Sequence, residues 1–205
     1  MNKTVFVLGL LIFAAAVTAG HTHQETTHGG KATFAGGCFW CMEEAFEKVD
    51  GVSSVISGYA GGTKASPTYK EVSSGRTGHT EAVEVIYDPG SVTYGELLEV
   101  FWRNIDPTDG SGQFCDKGSQ YRSAIFYRDE EQKRLIEESL QSLEDTKPFD
   151  EPIVTEIAPA SMFYPAEDYH QDYYKRNPIR YRYYKYGCGR AQRLKALWEP
   201  DKYDK

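Results

Sequence analysis

No stretch of this 205-residue chain is apolar over the roughly 20 residues that a membrane-spanning helix needs; the longest run, Val5 to Val17 behind Lys3, is shorter than that. It reads as a secretory leader. Val17-Thr18-Ala19 offers small residues where a signal peptidase reads, so residues 1–19 are expected to be removed, with the cut after Ala19 or Gly20. No cysteine stands directly after that cut, which argues against a lipid-anchored form, and the mature protein is expected to be exported, periplasmic or secreted. Positive charge is also short. A formal net charge of −7 and a pI near 5.3 give no basis for nucleic-acid binding, which needs a basic face. The one local exception, Arg180-Tyr-Arg-Tyr-Tyr-Lys-Tyr186, interleaves basic and aromatic residues; lying between Asn177-Pro178 and Gly187, it reads as a surface-packed C-terminal arm. No internal period repeats.

Histidine is scarce, and three of the five (His21, His23, His28) fall in a Thr- and Gly-rich stretch without apolar periodicity, read as a flexible tether over residues 20–30. A copper- or nickel-type role for His23 after cleavage is weaker than the reading of a plain solvated tail. The rest, residues 31–205, is expected to be one catalytic domain whose C-terminal arm starts near residue 178. Cysteine is limited to four: Cys38, Cys41, Cys115 and Cys188. An exported protein with four would ordinarily carry two structural disulfides. Cys38 and Cys41, however, share one helical turn with two aromatic residues between them, an arrangement typical of redox exchange. Structural zinc draws on two paired clusters, and Cys115 and Cys188 are isolated, so no metal and no cofactor are expected.

The chain is organised around Gly36-Gly37-Cys38-Phe39-Trp40-Cys41. Lys31 to Ala35 reads as a strand, and Met42, Ala45, Phe46 and Val49 recur at helical spacing, which puts Cys38 at a helix N-terminus. Free N–H groups and the helix dipole there favour a thiolate. Further on, Val52 to Gly58 and Glu81 to Asp88 read as strands, and Pro67-Thr68-Tyr69 as a loop. Thr93-x-x-Glu96 is a capping box for a helix with Leu97, Leu98, Phe101 and Trp102 inward. Asp106 to Gly118 is a loop and Arg122 to Tyr127 a strand. Asp129 caps a helix carrying Leu135, Ile136, Leu140 and Leu143, Pro152 to Ile157 is a further strand, and Pro165 opens a helix. Pattern alone predicts an α/β or α+β two-layer domain over four to six strands.

The first of these segments, together with Gly58-Tyr-Ala-Gly-Gly62, Gly78-His-Thr-Glu-Ala-Val83, Gln120-Tyr-Arg-Ser123 and Ala166-Glu-Asp-Tyr-His-Gln171, resembles peptide methionine sulfoxide reductase A. The resemblance runs in the family's order from about Thr33 to Asn177. It implies an α+β fold, a two-layer sandwich with a largely antiparallel, ferredoxin-like sheet. It also implies that loops gather Tyr69, Asp116 and Tyr121 beside Cys38, and that the S epimer of methionine sulfoxide is the substrate.

The roles follow from the chemistry of a sulfoxide, whose oxygen leaves only if protonated while a thiolate attacks the sulfur. Cys38 is the expected nucleophile and Glu81 the general acid. Tyr69 and Tyr121 would hydrogen-bond the oxygen, Phe39 and Trp40 would wall the substrate methyl group, and Asp116 would accept from the substrate backbone. His79 and His170 are read as hydrogen-bonded structural groups. The resulting sulfenic acid needs a second thiol. Many family members have Gly where Cys41 stands and Asn where Cys115 stands, so three thiols compete. Cys188, flanked by Gly187 and Gly189, is favoured as the resolving cysteine; Cys41 comes second because a helical turn would hold its side chain away, and Cys115 last. The resulting disulfide would be recycled by a thioredoxin-like donor. The expected partners are oxidised proteins or peptides carrying methionine sulfoxide and that donor, with no nucleic acid, no stable membrane association and a monomeric state. A thioredoxin-like thiol–disulfide oxidoreductase using Cys38 and Cys41 is the competing function, and a cysteine acyl hydrolase a more distant one.

Overall fold

The computed structural model describes residues 29–199, together with Met1. The leader and the tether with His21, His23 and His28 lie outside the described residues. The first half of the domain runs β1 (Gly30–Gly36), α1 (Phe39–Glu47), β2 (Val52–Ala60), the short α2 (Tyr69–Ser73), β3 (Thr80–Tyr87) and α3 (Tyr94–Arg103). A small hairpin, β4 (Gly112–Gln113) with β5 (Asp116–Lys117), interrupts the loop that leads to β6 (Ser123–Tyr127). Then come α4 (Glu130–Thr146), β7 (Glu156–Pro159), β8 (Tyr164–Pro165), α5 (Tyr173–Arg176), α6 (Pro178–Gly187) and α7 (Arg190–Trp198).

The main sheet has six strands in the order β7-β6-β1-β3-β2-β8. Its four central strands make the 4-1-3-2 arrangement of a ferredoxin-like βαββαβ unit, all antiparallel. Only the added edge strand β7 runs parallel to its neighbour. The expected α+β sandwich is therefore present.

Strand parity decides what each face does. Phe34, Val83, Val85, Val55 and Ile125 point into the layer of α1, α3 and α4, where they bury Met42, Phe46, Leu97, Leu98, Phe101 and Ile136. On the opposite face Ala35, Ala60, Ala82 and Ala124 form a flat surface, covered by Ala158, Ala160 and Phe163. Glu84 lies on this second face, held by Lys31 at 3.1 Å and by Arg128. Glu81 has the parity of Val83 and Val85, so it points into the helical layer.

The capping box of α3 is present, with Thr93 Oγ1 accepting from Glu96 N–H at 3.2 Å and Glu96 accepting from Thr93 N–H at 2.7 Å. Asp129 likewise caps α4 by accepting from Gln132 N–H at 2.8 Å.

Three local expectations need correction. Tyr69 opens a short helix, not a loop, because Thr68 and Glu71 form an unrecognised capping box there. The strand after α4, β7, begins at Glu156 and not at Pro152: Val154 N–H donates to Pro107 O at 2.8 Å, so residues before Glu156 follow that loop and not the sheet. Pro165 does not begin a helix. It sits in the edge strand β8 opposite Gly58, where a missing N–H faces no partner strand, and the N1 proline is Pro178 of α6. The basic-aromatic arm is therefore helical, with Tyr181 buried inward and Tyr183 and Tyr186 exposed outward.

Candidate active site

β1 delivers the nucleophile segment to one end of the sheet. The chain turns at Gly37, whose φ is +79° and whose absent Cβ would meet Gln113 Cβ at 2.5 Å, so only glycine fits. Gln113 is fully buried and fixes this neighbour by exchanging two hydrogen bonds, 2.7 and 2.8 Å, with the backbone of Asp106. Cys38 is then the N-cap of α1, with φ −52° and ψ 117°. Its extended backbone takes its side chain out of helical register and brings its thiol into hydrogen-bond contact with the thiol of Cys41. The helical turn does not hold Cys41 away, contrary to the sequence expectation.

A cavity of about 220 Å³ opens over this turn, lined by Cys38, Phe39, Trp40, Tyr69, Glu81, Asp116, Tyr121 and Tyr184. All the residues proposed from the sequence for chemistry and substrate contact meet here. Glu81 is only 4 % exposed and accepts the N–H of Phe39 at 3.0 Å. Burial raises its carboxyl to about 8, against the opposing effect of that N–H, and Asp116 and Cys41 add to the rise. Glu81 is thus a protonated acid at neutral pH.

The same bond changes the expectation for Cys38. The first free N–H of α1 serves the carboxyl and not the sulfur. Burial first, and then the Cys41 contact, push the Cys38 thiol up. Cys41 moves the other way: the hydrogen bond from Cys38 lowers it most, with Arg190, Tyr181 and Lys185 adding to that effect. Proton for proton, the pair holds its negative charge on Cys41.

Other residues set the walls. Glu167 accepts the N–H of Tyr69 at 2.9 Å and the hydroxyl of Tyr59 at 2.8 Å, which anchors the start of α2 and aims Tyr69. Tyr121 is hydrogen-bonded to Tyr69, whose hydroxyl burial raises to about 12. Trp40 stacks on Tyr173 at 3.7 Å and donates its Nε1–H to His170 Nδ1 at 3.2 Å. His170 is buried, held low at about 4 by desolvation, and therefore neutral. His79 accepts from Gly62 N–H at 3.1 Å and bonds the Lys64 carbonyl at 2.8 Å, far from the thiols in function. Both histidines fill hydrogen-bonded roles, and the only hydrogen-bond and ring contacts found for them among the described residues are with groups other than Cys38, which removes the acyl-hydrolase pairing.

The C-terminal arm supplies what the sequence reading missed. Tyr184 donates its hydroxyl to Asp116 at 2.5 Å, contacts Cys38 and lies edge-on to Trp40. Tyr181 donates to Glu44 at 2.6 Å and faces Cys41. Their i, i+3 spacing on a helix just before Cys188 was the available signal. Cys188 itself is not near Cys38 as a free thiol: it forms a disulfide with Cys115, Cα–Cα 4.9 Å, at the rim of the cavity. Cys38 and Cys41 are the free cysteines. The expected approach of Cys188 to Cys38 is therefore absent from this form, because the β4–β5 hairpin presents Cys115 directly under the end of α6.

The family described as peptide methionine sulfoxide reductase matches residues 30–202. The peptide methionine sulfoxide reductase MsrA of Listeria monocytogenes is 53 % identical over 169 residues, 82 % of this chain and 96 % of that protein. Among solved structures, methionine sulfoxide reductase A of Corynebacterium diphtheriae superposes with a TM-score of 0.64 at 37 % identity, covering 73 % of this chain and 75 % of that one. Mxr1 from Saccharomyces cerevisiae in reduced form gives 0.63 at 35 % identity, covering 73 % and 86 %. With the family match over residues 30–202 and a relative 53 % identical over 82 % of this chain, the protein belongs to the peptide methionine sulfoxide reductase family.

Proposed function

We propose that the cavity reduces methionine S-sulfoxide in oxidised proteins to methionine, with Cys38 as nucleophile and Glu81 as general acid. The chain is a peptide-methionine (S)-S-oxide reductase, an oxidoreductase that repairs oxidative damage. One observation carries the assignment: a carboxyl that burial keeps protonated shares one small cavity with a cysteine and two tyrosine hydroxyls. That combination suits a substrate whose oxygen must be protonated as its sulfur is attacked.

In the first step the proton between the two sulfurs moves to Cys41, and the Cys38 thiolate attacks the sulfoxide sulfur. Glu81 protonates the departing oxygen, with Tyr69 and Tyr121 donating to it as charge develops. The hydroxyl then passes to the Cys38 sulfur as the new S–S bond breaks, leaving methionine and Cys38 sulfenic acid. In the second step the Cys41 sulfur displaces the hydroxyl from Cys38, giving a Cys38–Cys41 disulfide and water. The two protons in that water come from Glu81 and from the thiol pair. The contact between the two thiols favours Cys41 as the resolving cysteine over Cys188, whose sulfur is engaged with Cys115. A thioredoxin-like dithiol then reopens the pair by exchange.

Phe39 and Trp40 supply the apolar wall for the substrate methyl group, and Asp116 with Tyr184 the polar rim for its backbone. A general thiol–disulfide oxidoreductase is disfavoured: disulfide exchange needs no proton donor to an oxygen, and it would leave the buried Glu81 carboxyl with Tyr69 and Tyr121 beside it without a role. The apolar run from Val5 to Val17 with small residues at Val17-Thr18-Ala19 supports export, testable by N-terminal sequencing of the secreted protein. No helix among the described residues is long and apolar enough to cross a membrane. The function is tested with the two epimers of methionine sulfoxide separately. Turnover of S and none of R is expected; equal rates would contradict the assignment.

A further inference from the structure

Arg190 is 4 % exposed, and none of the ion pairs found among the described residues includes it. Its guanidinium donates to Gly36 O at 2.7 Å and Asn104 O at 2.5 Å, touches Met42 Sδ at 3.8 Å and stacks over the Phe114 ring at 4.4 Å. Among the described residues it is the only buried lysine or arginine. Carbonyl oxygens satisfy its N–H groups but do not cancel its charge, and an uncompensated buried cation is costly. The molecule spends that cost beside the thiol pair: Gly36 O, which Arg190 holds, belongs to the residue two before Cys38, and Met42 follows Cys41.

We propose that Arg190 is a positioning residue for the reduction, supplying the buried counter-charge that keeps the Cys38–Cys41 pair as one thiol and one thiolate. The other charged groups facing the pair do not serve this purpose. On α1, Glu44 is occupied by Lys48, Lys185 and Tyr181, at 2.7, 2.5 and 2.6 Å. Lys185 on α6 shares Glu44 with Lys48 and is partly exposed, so solvent screens its charge. Glu81 on β3 is protonated at neutral pH, so it adds no positive charge. Asp116 on β5 is an anion site that accepts from Tyr184 and competes for the field of Arg190. Tyr181 and Tyr184 donate hydrogen bonds without net charge. Arg190 brings a buried positive charge with no ion pair among the described residues, and it lowers Cys41 ahead of the partly exposed, ion-paired Lys185. A pair that already lacks one proton needs only an internal proton shift to present the Cys38 thiolate, so no solvent base has to enter the cavity.

The inference rests on the reading that Cys38 and Cys41 react in succession, but its test uses no sulfoxide. In the Cys38→Ser protein Cys41 is the single free thiol, since Cys115 and Cys188 are bonded. Its alkylation rate by iodoacetamide is measured against pH, in that background and with Arg190→Gln or Arg190→Lys added. With Arg190 present the midpoint is expected well below the ordinary thiol value of about 8.5. Arg190→Gln keeps N–H donors but drops the charge, and should raise the midpoint by about one pH unit, roughly tenfold slower alkylation below it. Arg190→Lys should restore most of the shift. Equal midpoints for the Gln and Lys variants would overturn the proposal. So would an ordinary midpoint in the arginine-containing protein, a result that stands even if neither variant folds. Either failure would leave the sulfoxide reductase activity itself unchallenged.

Discussion

Two pairs of cysteines stand on either side of one tyrosine, and their surroundings differ in almost every respect. Cys38 and Cys41 are three residues apart, about 95 % buried and reduced, in a cavity with Glu81 and beside the unpaired charge of Arg190. Cys115 and Cys188 are 73 residues apart, bonded to each other and open to solvent at the rim. Tyr184 touches both, with its hydroxyl 3.9 Å from Cys188 Sγ and in contact with Cys38. Burial near fixed charge creates a pair whose protonation can be controlled. Exposure across a long loop creates a clamp, holding the arm that carries Tyr181, Tyr184 and Arg190 onto the domain.

Chemistry at the buried pair should fail outright when its nucleophile is removed. Cys38→Ser is expected to abolish methionine release while leaving the near-UV circular dichroism intact; measurable turnover would move the nucleophile elsewhere. Glu81→Gln should reduce the rate of sulfoxide reduction by about 10²–10⁴-fold, yet Cys38 should still react with a thiol reagent. Loss of both would make Glu81 a structural residue that holds the α1 N-terminus through Phe39.

The acid also sets a pH limit. Because Glu81 must be protonated and its carboxyl sits at about 8, the single-turnover rate should fall about tenfold per pH unit above that value. Its folded value lies above its unfolded one, so the unfolded chain gives up its proton first. Its stabilising effect is full below about 4.5 and is lost as pH rises toward 8. A flat rate from pH 7 to 10 would exclude a carboxyl acid. Gln at this position should remove both dependences.

At the clamp the effects should be smaller and of a different kind. Cys188→Ser is expected to leave the first turnover of methionine near normal but to destabilise the domain by up to about 4 kcal/mol, the chain-entropy value for a loop of this length. Denaturant titration measures the second effect and rapid quench the first. A variant that folds normally but releases no methionine in its first turnover would give Cys188 a chemical role.

The contrast between the pairs also marks what the sequence could tell. Cys38, Phe39, Trp40 and Glu81 were legible because each lies in a contiguous motif, and the parity of β3 even aims Glu81 inward with Val83 and Val85. The largely antiparallel, ferredoxin-like sheet was expected from the family resemblance, whereas periodicity alone gave only a two-layer domain over four to six strands. What stayed hidden depends on contacts across 70 or more residues. Nothing local announces that the β4–β5 hairpin carries Cys115 beneath Cys188, nor that Arg190 inserts between Gly36 and Asn104. Helical register argued against Cys41, since Cβ atoms at i and i+3 of a regular helix stand about 5–6 Å apart, wider than the roughly 3.8 Å of a disulfide. The N-cap backbone of Cys38 overrides that rule. Pro165 misled for a related reason: a proline suits a helix start and a sheet edge equally, and only the pairing with Gly58 distinguishes them.

The central claim is that oxidation is confined to the buried pair while the rim disulfide stays as it is. Reacting the protein with one equivalent of methionine S-sulfoxide without reductant, trapping thiols at low pH and mapping disulfides by mass spectrometry tests it directly. The account predicts a new Cys38–Cys41 bond alongside an intact Cys115–Cys188 bond. A Cys38–Cys188 bond, with Cys115 released as a thiol, would contradict it.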